Sequence, residues 1–226
     1  MGDRLNAKMV KSREVNITIK KSTNPNKEDK VYVQNASGLD NIAVGLNRNV
    51  HIVIRNDVGD LIGALNDGAT IRVEGSAGKY AADGMTGGEV LIEGDVDEGA
   101  GTAQCGGTLV VKGSAKDHVG QLLKGGTIIV CGNVGDYAGS FMIAGTIIIG
   151  GDAGRELGAS MLSGTIYIKG GYETMGENLR QTKLTKDDEK FLRDLFAKYQ
   201  LGLGTVGFKK IVELQGGTLM KSKHVR

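Results

Sequence analysis

Between Asn49 and Gly170 the chain repeats itself about every 19 residues without a slip, and this period constrains the fold more than any other property of the sequence. Gly75, Gly94, Gly113, Gly132, Gly151 and Gly170 keep the interval, and Gly68, Gly87, Gly106 and Gly125 keep it in a neighbouring column. Each unit carries one short run of alternating apolar residues: Ile71/Val73, Val90/Ile92, Leu109/Val111, Ile128/Val130, Ile147/Ile149 and Ile166/Ile168, with Ile52/Ile54 in the same register. Period-two alternation of β-branched residues predicts a strand with one face buried.

The remainder of each unit is glycine punctuation, as in the run from Gly132 to Gly139, where turns call for positive φ or close backbone approach. Gly78, Gly135 and Gly154 share one such column. Two further columns stay small and apolar, Val58/Ala77/Val96/Ala115/Val134/Ala153 and Ile62/Ala81/Ala100/Val119/Ala138/Leu157. So short a unit cannot bury its own apolar face, so neighbours must stack on it, which is the logic of a solenoid. Asn49 and Asn56 stand where glycine is expected and tolerate the left-handed region; Asp97, which replaces a later glycine, is similarly tolerable, and Lys116 in the same column is unexplained by this reading.

The repeat occupies more than half of the 226 residues and leaves flanks too short to fold alone. The division is therefore an N-terminal cover segment, residues 1–30; a repeat domain, residues 31–170; and a C-terminal helix, short strand and tail, residues 171–226. In the first segment Val15, Ile17 and Ile19 predict a strand, and Val31–Val33 begins an extra coil about two residues too long. After Gly170 the period changes to 3.6: Thr185 and Asp188 predict a capped helix with Phe191, Leu192, Leu195, Phe196 and Tyr199 as its apolar stripe, and Phe208–Leu214 a final strand.

Thirty-seven glycines against one proline would suggest disorder if they lacked a period; here they have one. A formal net charge of +2 gives no reason to expect nucleic acid, and Lys20, Lys21, Lys27 and Lys30 lack interleaved aromatics, so they are expected to be solvated. No apolar run reaches the ~20 residues of a membrane span, and the polar N-terminus has no secretory core. The expectation is a cytoplasmic protein. Cys105 and Cys131 make neither a disulfide framework nor a metal-ligand spacing.

Motifs of catalysis are thin. Gly202-Leu203-Gly204-Thr205-Val206-Gly207 spells a dinucleotide fingerprint, but it follows a helix and precedes a strand, the reverse of what aims a helix N-terminus at pyrophosphate. His51, His118 and His224 lie in separate regions with no nucleophile or carboxylate at triad spacing. Asp57, Asp95, Asp117, Asp136 and Asp152 recur near the turns and are expected to satisfy turn amides. No catalytic, cofactor-binding or metal-binding residue is assigned.

The units 125–136, GGTIIVCGNVGD, and 144–154, AGTIIIGGDAG, resemble the repeats in the C-terminal domain of the glutamate synthase large (alpha) chain, the family named for its Gly-X-Gly-X-Gly pattern. The same repeat occurs in the glycine-repeat component of formylmethanofuran dehydrogenase and in a small subunit of N-methylglutamate synthase. The resemblance implies an all-β chain, a right-handed parallel β-helix of about seven 19-residue coils with a C-terminal capping helix. It further implies a non-catalytic structural subunit of a glutamate synthase-type complex. Such a protein would organise a separate glutaminase (amidotransferase) chain and an FMN-dependent, iron–sulfur synthase chain in glutamate biosynthesis, with no cofactor of its own. The rivals are the dehydrogenase or N-methylglutamate synthase role and, from another class, a β-helix acyltransferase or carbohydrate-active enzyme; a second copy of the chain, as a homo-oligomer, is a further candidate partner. The acyltransferase template of three hexapeptides does not fit a 19-residue unit with one dominant strand.

A last column is apolar where a solvated face would be polar. Val53, Leu91, Val110, Ile129, Ile148 and Tyr167, with Arg72 among them, should point outward between the core positions of each strand. They must be covered by a partner or by the chain's own lid, for which Phe191, Leu195 and Phe196 are the expected residues.

Overall fold

The computed structural model describes residues 3–7, 11–22 and 30–214. In chain order these form β1 (Asp3–Asn6), α1 (Ser12–Ser22), β2 (Lys30–Gln34), β3 (His51–Ile54), β4 (Asp67–Val73), β5 (Gly87–Ile92), β6 (Thr108–Val111), β7 (Thr127–Val130), β8 (Thr146–Ile149), β9 (Thr165–Ile168), β10 (Leu179–Thr182), α2 (Lys186–Lys198) and β11 (Lys209–Glu213). The strands make one sheet in the order β1-β2-β3-β4-β5-β6-β7-β8-β9-β11-β10. From β1 to β9 every pairing is parallel and joins each strand to the next in sequence. That arrangement is a parallel β-solenoid, one coil per repeat.

Register follows the period. Ile52 pairs with Ile71, Ile71 with Val90, Val90 with Leu109 and so on to Ile166, while Val31 pairs with Ile52 across the longer first coil. Both inward positions of these strands are fully buried. The two small columns line a second inner face, with parallel bridges at Ala77–Val96, Val96–Ala115 and Val134–Ala153. A third inner column, Met85, Gln104, Leu123, Met142 and Met161, escapes a reading by residue type because its members vary. Gln104 donates to the Gly107 carbonyl, which keeps its amide nitrogen satisfied at 0% exposure.

The bend between the second and third faces holds most of the left-handed residues other than glycine. In each coil three positions two apart have positive φ, for example His118 (63°), Gly120 (64°) and Leu122 (58°), then Tyr137 (62°), Gly139 (72°) and Phe141 (56°). The alternation turns successive amides toward opposite neighbours: Tyr137 donates forward to Arg155, Gly139 back to Val119 and Phe141 forward to Ala159. A corner built this way keeps its backbone satisfied by both adjacent coils. The middle position is also crowded, since a Cβ on Gly120 would stand 2.7 Å from Ile147 Cδ1.

Both flanks depart from expectation. Residues 15–19 are helix, not strand: Val15 and Ile19 are buried one turn apart while Ile17 is 40% exposed. Apolar residues at 15, 17 and 19 satisfy period two, but the pair that packs is the i, i+4 pair, and docking on the core overrides β propensity. Asn16 fastens the helix by donating to the Asn41 carbonyl and accepting from the Ala43 amide. At the other end β11 pairs antiparallel with β9, and β10, which lacks a strand-like pattern in sequence, pairs antiparallel with β11.

Candidate functional site

The corner glycines Gly75, Gly94, Gly113, Gly132, Gly151 and Gly170, with Gly78, Gly135 and Gly154, do not occupy the left-handed region. Their requirement is space. A ladder of side chains runs along the solenoid, each accepting a hydrogen bond from a backbone amide of the next coil. Asp57 accepts from Ser76, Ser76 from Asp95, Asp95 from Ser114, Ser114 from Asn133, Asn133 from Asp152 and Asp152 from Gly171, at 2.7–3.1 Å. A second ladder runs from Asp40 to Asp60 to Lys79, and from Asp117 to Asp136 to Arg155. Each glycine immediately precedes a donor, where a Cβ would collide with the accepting oxygen. The recurrent aspartates therefore satisfy amides of the following coil.

The same rule accounts for Asp97 and Lys116. Their predecessors one coil earlier are Lys79 and Glu98, which place no acceptor against them, so both positions are free to carry side chains. They pair with each other at 3.1 Å, and Lys79 pairs with Glu98 at 2.7 Å.

On the outer face of the sheet, Val110, Ile129, Ile148 and Tyr167 are buried beneath Leu192, Phe196, Leu201 and Phe208. The chain supplies its own lid. The helix face differs by one residue from expectation, because Phe191 is 39% exposed and Leu192 fully buried; Leu192, Phe196 and Tyr199 follow the i, i+4, i+7 rule along the seam. Thr185 caps α2 in a reciprocal box with Asp188. Gly202–Gly207 lies in the loop from this helix toward β11, and Leu203 within it and Leu201 just before it pack with the lid.

One buried carboxylate pins the lid. Asp188 accepts from the Tyr167 hydroxyl at 2.6 Å and from Lys210 at 2.8 Å through Oδ1, and from the Thr185 amide and hydroxyl through Oδ2. Burial opposes its ionisation, but the donors from Lys210, Tyr167 and Thr185 outweigh it and hold the carboxyl well below the usual range. Burial and the bond to Asp188 push the Tyr167 phenol up. At the far end, Lys198 and Tyr199 both donate to Glu89 on β5, and the bond to Glu89, followed by that with Tyr199, raises the Lys198 ammonium to about 12.

The lid stops there. Leu91 is only partly buried, and beyond it Val53 and Tyr32 occupy an open outer face that forms a hollow of about 440 Å³ with Lys30, His51, Arg55, Arg72 and Glu74. A second exposed feature is the left-handed corner itself, where Leu65, Tyr80, Leu122, Tyr137 and Phe141 are 42–59% exposed at positive φ. Left-handed backbone at a residue other than glycine costs roughly 1–3 kcal/mol, so large apolar side chains there are an expensive choice on a solvated edge.

Among the described residues, those of catalytic type are not brought together. His118 stacks on Tyr137 with ring centroids 5.3 Å apart, His51 lies on β3, and His224 is outside the described residues. Among the described residues no group of three or more His, Cys, Asp or Glu is placed to hold a metal ion. Cys105 is exposed, and burial pushes the half-buried Cys131 thiol up to about 11.

A glycine-spaced parallel solenoid carrying its own helical lid and two exposed lateral surfaces defines the chain as a parallel β-helix protein. A model of the GXGXG motif family matches residues 5–201, and the chain belongs to that family. No curated protein matches it. Among solved structures, it is similar to a chain of the formyltransferase/hydrolase complex (FhcABCD) from Methylorubrum extorquens, whose structure was determined with methylofuran. The similarity has a TM-score of 0.69 at 26% identity and covers 89% of this chain and 86% of that one. No helix among the described residues is long and apolar enough to cross a membrane.

Proposed function

We propose that this protein is a non-catalytic β-helix component of a multi-protein assembly that handles formyl groups, in the role that the glycine-repeat chain fills in formylmethanofuran dehydrogenase-type assemblies. The observation that carries this reading is the correspondence with one chain of a formyltransferase/hydrolase complex over nearly the whole length of both. The exposed corner of Leu65, Tyr80, Leu122, Tyr137 and Phe141 supports it, because strained apolar positions on a lateral edge suit contact with other proteins. The chain acts by shape: stacked coils hold two long faces in fixed register, and the catalytic work belongs to the chains docked on them, in the cytoplasm.

A second reading keeps the same structural role within a glutamate synthase-type complex, beside glutaminase and FMN- and iron–sulfur-bearing synthase chains. It is favoured by the repeat units at 125–136 and 144–154. Purification of the tagged chain at its natural level, followed by mass spectrometry of co-purifying proteins, separates the two. Subunits of a formyl-transferring or formyl-hydrolysing enzyme are expected; a flavin-bearing synthase chain would favour the second reading, and a chain that purifies alone at physiological salt would overturn both.

A further inference from the structure

The outer face of the sheet is covered over only part of its length, and the division is sharp. From β5 onward the apolar column lies under α2, with Glu89 fixing the end of the helix through Lys198 and Tyr199. From β2 to β4 the same column continues as Tyr32, Val53 and Arg72, paired in register with each other and with Leu91, and no element among the described residues lies on it. The open part has an apolar centre and a cationic rim. Lys30 has no carboxylate partner among the described residues, and Arg55 lies over the Tyr32 ring at 5.3 Å without one. Arg72 pairs with Glu93 at 2.9 Å yet keeps half its side chain exposed, and Glu74 is the acid in the lining.

We infer that the outer face of β2–β4, around Tyr32, Val53, Lys30 and Arg55, is a docking surface for an acidic segment of another polypeptide of the assembly, which continues along the sheet the cover that α2 begins. This deepens the proposed structural role and rests on it. Two features of the face define the occupant. Its centre continues the apolar column that the lid packs, so the segment must bring apolar side chains to Val53 and Tyr32. Lys30 and Arg55, which have no carboxylate partner among the described residues, call for carboxylates, which would also steer the segment into place. The chain's own C-terminal residues 215–226 are a poor complement, since Lys221, Lys223 and Arg226 repeat the sign of the rim.

Zero-length carbodiimide cross-linking of the complex purified through the tagged full-length chain tests the assignment, because it joins Lys30 only to a carboxylate in direct contact. The expected product links Lys30 to an Asp or Glu of another polypeptide. In parallel, the Lys30→Glu/Arg55→Glu variant should melt like the wild type but recover that polypeptide at least tenfold less well, with the wild-type interaction weakening as salt rises. Undiminished recovery by a folded variant, or links from Lys30 only to this chain or to a second copy of it, would overturn the docking surface. If Leu122→Glu/Phe141→Glu then loses the partner, the structural role stands and only the face is wrong. If the wild type carries no other polypeptide, both fall.

Discussion

Asp117 and Gly135 belong to successive coils, and the carboxylate of the first fills the space that a side chain on the second would need. Asp117 Oδ1 accepts from the Asp136 amide at 2.9 Å, and a Cβ on Gly135 would overlap that oxygen and stand 2.9 Å from the Asp117 nitrogen. Gly135 is therefore required by its neighbour rather than by its own backbone angles.

The coupling is measurable. Gly135→Ala should lower stability by about 1–3 kcal/mol through overpacking, Gly135→Val by more, and Gly78 and Gly154 should behave alike. In an Asp117→Ala background the cost of Gly135→Ala should shrink by at least about 0.5 kcal/mol. Urea melts of the four proteins in this cycle check it, and strict additivity would disprove the mutual requirement.

Burial separates the faces of α2. Leu192→Ala and Phe196→Ala should each cost about 2–5 kcal/mol, whereas Phe191→Ala should cost under about 1 kcal/mol. Ile129→Glu with Ile148→Glu should prevent folding, and truncation before Thr185 should give aggregates by baring the column. Thermal melts and size-exclusion profiles report both, and a monodisperse truncation as stable as the whole would remove the lid's structural importance.

Acid should release the lid through Asp188. Its carboxyl is depressed in the folded protein, so the stabilisation is complete above the unfolded value of about 3.9 and is lost as pH falls through the folded value. Asp188→Asn should cost on the order of 3 kcal/mol at pH 7, because Lys210 and Tyr167 lose their ionised partner. The gap between variant and wild type should narrow below about pH 4. Denaturant titrations across pH 3–8 show the convergence, and a constant gap would assign the acid limb to other groups.

The two thiols should differ in reactivity. With its thiol raised to about 11 by burial, Cys131 carries little thiolate at neutral pH, while Cys105 is exposed. Iodoacetamide at pH 7.5 should label Cys105 and spare Cys131 in the native protein, with both labelled in urea. Equal native labelling, read by peptide mass, would mean that β7's end opens.

The repeat alone determined the coil, its strand register and its two small inner columns, because a fixed period makes every residue's neighbour the residue one unit away; the capped C-terminal helix was legible from its own 3.6 period. The ladders were legible on the same ground: from Asp57 on, a glycine stands 18 residues after each Asp, Ser or Asn that accepts along them and is absent after Lys79 and Glu98. Tertiary structure decided what lies outside the repeat. Val15 and Ile19 suit a strand face or a helix turn equally, and only the surface they meet selects the helix; Phe191 and Leu192 are adjacent, and only the angle at which α2 crosses the sheet selects which is buried. Lys30 reads as one lysine in a polar stretch until the coil pairs β2 with β3, which sets Lys30 opposite His51 and Arg55 over the Tyr32 ring, contacts that span more than twenty residues of chain. Such contacts carry no period, so the sheet had to be built before the lid and the open face beside it could be seen.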